Sequence, residues 1–73
     1  MNTQLRKLVD LNIDLDHFYA VDMTKNMINL QGKSNYYTTL TAKKIGIELV
    51  YDNETQWLSG KKDGICIVLT CND

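Results

Sequence analysis

The chain has 73 residues, 44% of them hydrophobic and 23% charged, with no proline and a net charge of −1. A chain of this length forms one domain that buries only about 60% of its unfolded surface, so the core must use nearly every apolar side chain. The near-neutral balance removes any global electrostatic argument for nucleic acid, a membrane surface or an acidic substrate, and two cysteines are too few for a disulfide framework.

On one continuous strand Cys66 and Cys71 would face opposite sides about 16 Å apart, beyond disulfide reach. Reduced thiols and a cytoplasmic setting are therefore expected. The opening MNTQLRKLVDLNID lacks the apolar core of a signal peptide, and no stretch reaches the roughly 20 apolar residues of a membrane-spanning helix.

In chain order, Asn2 or Thr3 can cap a short helix in which Leu5, Leu8 and Val9 repeat at helical spacing. Leu11, Ile13 and Leu15 then alternate with polar residues, as in a strand start or an extended connector. His17 to Met23 is aromatic and β-branched, a predicted strand. Thr24-Lys25-Asn26 is a turn with Asn26 suited to a left-handed position, and Met27 to Gln31 is the return strand. Ser34 is the expected cap of a helix over 35–45, with Tyr37, Leu40, Lys44 and Ile45 on its apolar stripe and Gly46 ending it. Ile47 to Tyr51 alternates as a strand.

Thr55 to Thr70 reads as a hairpin with Gly60-Lys61-Lys62-Asp63-Gly64 at its tip. Ile65 to Leu69 is the longest apolar run and predicts a strand buried on both faces. The whole predicts an α+β fold: an antiparallel sheet of about five strands, a hairpin followed by a three-strand meander, with a central helix on one face and a short N-terminal helix.

The segments INLQGK, KKIGIEL and WLSGKKDGICIVLT, within residues 28–70, resemble small open reading frames of phage and prophage genomes. The shared frame is a strand ending in Gln-Gly, a helix ended by Gly and a last strand ending in Leu-Thr. The resemblance implies a phage-type setting; it implies no mechanism and no functional residues.

Tests for chemistry come back empty. Asp10, Asn12 and Asp14 have the spacing of the first calcium-loop ligands, but Leu15 replaces the glycine and Val21 the bidentate glutamate. Asp14, Asp16 and His17 fall short of a zinc ligand set, since His17 is the only histidine. Cys66 lies in an apolar strand and Cys71 near the chain end, so neither makes a convincing nucleophile. No cofactor is implied and no enzyme is expected.

Lys43, Lys44, Lys61 and Lys62, with Tyr36 for stacking, are the candidate nucleic-acid residues, though acidic residues interleave them. Along the last strand Ile65, Ile67 and Leu69 alternate with Cys66, Val68 and Thr70. The bulkier set should meet the central helix. Tyr19, Val21 and Met23 are expected to line the second face with Val68, a candidate interaction surface that either the N-terminal helix or a partner covers. Trp57 belongs either to the core or to that surface. The chain reads first as a non-enzymatic module binding another protein or itself as a homodimer. Accessory nucleic-acid binding is the alternative, and a small enzyme comes last.

Overall fold

The last apolar run forms the middle of the sheet. In the computed structural model, which describes residues 3–71 and side chains from Leu5 onward, the strands are β1 (Phe18–Met23), β2 (Ile28–Lys33), β3 (Val50–Asp52), β4 (Trp57–Lys62) and β5 (Ile65–Thr70). The helices are α1 (Thr3–Asp10) and α2 (Tyr36–Ile45). The five strands lie in the order β1-β2-β5-β4-β3.

The sheet is mixed, not purely antiparallel. β1 with β2, β3 with β4, and β4 with β5 pair antiparallel, but β2 and β5 run parallel. An apolar run does not specify the direction of its neighbours, so it located β5 without orienting it. β5 is fully buried on one face only: Ile65, Ile67 and Leu69 are buried, whereas Cys66, Val68 and Thr70 are half-buried on the other.

Residues opposite each other in a ladder share a face. Ile28 pairs with Ile65 and Leu30 with Ile67, and these four are fully buried. They form one cluster with Leu69, Phe18, Leu8 of α1, and Ala42 and Ile45 of α2. Both helices therefore lie on the same face. The expectation that α1 could cover the opposite face is not met.

Each helix stops by the same device. Asn12 and Gly46 take positive φ, 57° and 92°. Asn12 N–H donates to Val9 O and Ile13 N–H to Leu8 O, while Gly46 N–H donates to Lys43 O and Ile47 N–H to Ala42 O. This is the Schellman pattern, which sends an apolar residue back onto the last turn. Ile13 thus returns beside Leu8, and Ile47 beside Ala42, all against the core.

Asn35, not Ser34, caps α2. Its side chain accepts from Thr38 N–H at 2.9 Å, and Thr38 Oγ1 accepts from Asn35 N–H at 3.0 Å, a reciprocal capping box. The buried stripe of α2 is Thr38, Thr41, Ala42 and Ile45, whereas Tyr37 is exposed. Threonine enters this stripe because its hydroxyls are satisfied locally: Thr38 donates to Lys33 O and Thr41 to Tyr37 O. Among the described side chains of α1, Val9 is exposed and only Leu8 is fully buried. The predicted cap at Asn2 or Thr3 lies outside the described side chains.

Local turns depart from expectation in three places. Leu15–His17 is a 3-10 turn capped by Asp14, not a strand start. Met27 N–H reaches Thr24 Oγ1 in the first hairpin, and Asn26 does not take a left-handed conformation. The β4–β5 turn is only Asp63-Gly64, both at positive φ (53° and 82°), because Lys62 already pairs with Ile65. That is the Asp-Gly two-residue hairpin.

Gly60 is therefore a strand residue and not part of the tip. It lies where residues 47–48 cross the sheet: a Cβ there would overlap the Glu48 carbonyl oxygen and fall 2.6 Å from Ile47 Cγ2. The same crossing explains why β3 begins at Val50 rather than Ile47, since Ile47 is spent on the core.

Candidate functional site: the open face of the sheet

With both helices on one face, the opposite face is left as three rows of side chains. The middle row runs Ala20–Gln31–Val68–Ser59–Val50. On one side of it lies Asp22–Asn29–Cys66–Lys61, and on the other Lys33–Thr70–Trp57–Asp52. Trp57 is 43% exposed and Val50 65% exposed, while Val68 and Cys66 are half-buried by their neighbours. The apolar groups are Trp57, Val50, Val68, Cys66 and Ala20, interleaved with amides and hydroxyls.

The candidate interaction residues do not all gather here. Val68 and Trp57 do. Val21 and Met23 do not: they register with Leu30 and Ile28 and so belong to the helix-covered face, at its β1 edge. The cause is a register shift at Tyr19. Phe18 pairs with Gly32 and Ala20 with Gln31, leaving Tyr19 with no partner opposite. One extra residue reverses the alternation of everything after it. Tyr19 itself is 65% exposed at the bulge.

The candidate nucleic-acid lysines are split between the two faces. Lys61 pairs with Cys66 on the open face, whereas Lys62 shares the row of Ile65 on the helix side. A Cβ on Gly46 would lie 2.9 Å from Lys62 Nζ, so that amine hangs over the C-terminal end of α2. Lys43 and Lys44 occupy the last turn of the same helix. Lysines in the last turn, and a third whose amine lies over the helix end, are accounted for by the helix dipole. Tyr36 stands in the first turn and flanks, with Thr39, Leu40 and Lys43, a shallow depression of about 260 Å³.

His17 stacks flat on Tyr37, with centroids 4.3 Å apart and planes 3° apart, and Tyr36 meets Tyr37 edge-on. His17 Nε2 lies 3.7 Å from Asp14 Oδ2. Asp14 also accepts from Asp16 N–H, as the cap of the 3-10 turn. Among the described residues no three His, Cys, Asp or Glu side chains converge in a way that could hold a metal ion. Cys66 and Cys71 are free thiols. No helix among the described residues is long and apolar enough to cross a membrane.

An apolar depression of about 450 Å³ lies beside α1, lined by Leu5, Arg6, Val9 and Asp10. Sequence reasoning missed Val50, Gln31 and Ser59 as members of the open face. The alternation of Ile47, Glu48, Leu49, Val50 and Tyr51 contained the signal for Val50, which is the one apolar residue out of phase in that stretch.

Comparison with protein-family models, with curated proteins and with solved structures gives no match in any of the three.

Proposed function

We propose that the chain is a non-enzymatic interaction module that binds protein through the open face of its sheet. The observation that supports this most directly is Trp57, a large side chain that is 43% exposed on a face neither helix covers. Tryptophan on such a surface is the residue type most often found at the energetic centre of interfaces. An antiparallel sheet facing only water alternates cleanly between apolar and polar residues, whereas here Val50, Val68, Cys66 and Trp57 keep the outward side partly apolar. The phage-type resemblance of residues 28–70 and a cytoplasmic location belong to this reading as its setting.

The nucleic-acid alternative loses support because Lys61 stands on the other face from Lys43, Lys44 and Lys62, and the position of those three at the end of α2 has its own explanation in the helix dipole. Capture from lysate separates the two: binding through the open face survives nuclease and is lost in Val68→Lys with the fold intact by circular dichroism. A captured partner that vanishes with nuclease, or that Val68→Lys retains, overturns the proposal.

A further inference from the structure

We infer that the occupant of the open face is a second copy of this chain, packed sheet to sheet about a two-fold axis lying in the plane between them. This rests on the reading of that face as a protein-binding surface, and its ground is the placement of the charges at the corners. Asp22 ends the row nearest the β1–β2 turn on the β1 side, and Lys61 ends it on the β4 side. In the opposite row the signs are exchanged: Lys33 stands on the β2 side and Asp52 on the β3 side.

All four side chains are exposed, and among the described residues none has an ion-pair partner within its own chain. Asp52 uses one oxygen to accept from Glu54 N–H in the adjoining turn. Glu54, in the same turn as Asp52, carries the same sign, and Lys25, in the β1–β2 turn, the opposite sign to Asp22.

Signs alternating around four corners have a definite consequence. A half-turn about an axis along β5 carries Lys61 of one copy beside Asp22 of the other, and Lys33 beside Asp52. A half-turn about an axis across the strands carries Lys61 beside Asp52, and Lys33 beside Asp22. Either in-plane two-fold lays every lysine next to a carboxylate, so the face complements itself, as an isologous interface requires. In both arrangements Val68, central on the middle strand, falls near its own copy. Trp57 meets a lysine, Lys33 in the first case and Lys61 in the second, a cation over an aromatic face.

Five strands about 4.8 Å apart and about 3.3 Å per residue give a face of roughly 24 by 17 Å. That is at the small end for a specific interface, so the dimer is weak and dependent on concentration.

Sedimentation of the full chain over a concentration series tests this. The expected result is a monomer–dimer equilibrium whose Kd rises about tenfold or more in Lys61→Asp and in Lys33→Asp, since like charges then face each other. The neutral Lys61→Gln weakens it less and serves should a charge reversal fail to fold. Adding Asp22→Lys restores dimerisation to Lys61→Asp if the axis runs along β5, or to Lys33→Asp if it runs across the strands. Monomer alone up to high micromolar protein, a dimer indifferent to both reversals, or rescue of neither overturns the inference. The broader reading fails separately, when lysate capture is unaffected by Val68→Lys.

Discussion

Lys7 Nζ and Asp63 Oδ2 stand 2.8 Å apart although 56 residues separate them in the chain. The pair ties α1 to the tight turn between β4 and β5. Asp63 thus has two tasks, the first left-handed position of the turn and the anchor of a helix too short to persist alone.

The Asp63 carboxyl is held below its ordinary value of 3.8 by the hydrogen bond from Lys7, then by the charge of Lys7, with Lys62 adding to the effect and partial desolvation opposing it. A depressed carboxylate value in the folded state means stabilisation that is present above pH 3.8 and is lost as pH falls through the lower folded value. Both side chains are partly exposed, so the effect is modest and weakens with salt. An NMR titration of Asp63 should show the depressed midpoint, and Lys7→Met should return it toward the ordinary value. An unchanged midpoint in that variant would show that the tether is not formed in solution.

Gly60→Ala should destabilise the fold by about 1–3 kcal/mol, because the obstruction is the Glu48 backbone carbonyl, which cannot rotate aside. The sign is informative. At an unobstructed strand position the same change favours folding through the unfolded chain. A denaturant midpoint equal to or above wild type would show that residues 47–48 do not cross there.

Thr38→Val keeps the shape of a fully buried side chain but removes the hydroxyl that donates to Lys33 O at 2.7 Å and accepts from Asn35 N–H. The loss should be about 1–3 kcal/mol, the cost of leaving buried partners unsatisfied. Thr38→Ser keeps both bonds and gives up one methyl, about 0.8 kcal/mol. Chemical denaturation in which Ser is the more damaging substitution would place the energy in packing instead.

Ile67→Ala should cost about 2–5 kcal/mol, since Ile67 is fully buried at the centre of the middle strand. Val68→Ala, one residue along and on the open face, should cost clearly less. Similar losses in urea titration would mean that both faces of β5 are enclosed in the monomer.

How far the fold could be read from the sequence differs from element to element, for physical reasons. β5 was legible because five apolar residues in a row admit almost no other placement, and the end of α2 because Gly46 is suited to the left-handed C′ position. The buried stripe of α2 was misplaced toward Tyr37, since threonine is polar by type and becomes a core residue only once Lys33 and Tyr37 supply acceptors. The bulge at Tyr19 left no mark in HFYAVDM, yet it decides which face Val21 and Met23 join. Of the candidate surface, Val68 could be placed because it alternates with Ile67 and Leu69 on a strand of regular register. Trp57, open between core and surface in the sequence, is assigned to the open face only by its pairing with Thr70 and Asp52. The sorting of Lys61 from Lys62 needed the turn to be shortened to Asp63-Gly64, which the two flanking glycines obscured.

The parallel pairing of β2 with β5 bears on how the molecule comes together in time. Before β5 is in place the strands make only two separate ribbons, β1–β2 and β3–β4, and isolated ribbons of that size are barely stable in water. Three of the four ladders join strands that are neighbours in the chain, but the β2–β5 ladder closes a long loop, from Ile28 to Ile65. Its entropy must be lost before any core contact compensates, so the rate-limiting step should be insertion of β5 between the ribbons. A nascent chain that has not yet released Ile65–Thr70 has no route to the native sheet, and the domain should acquire its structure in one cooperative event rather than strand by strand.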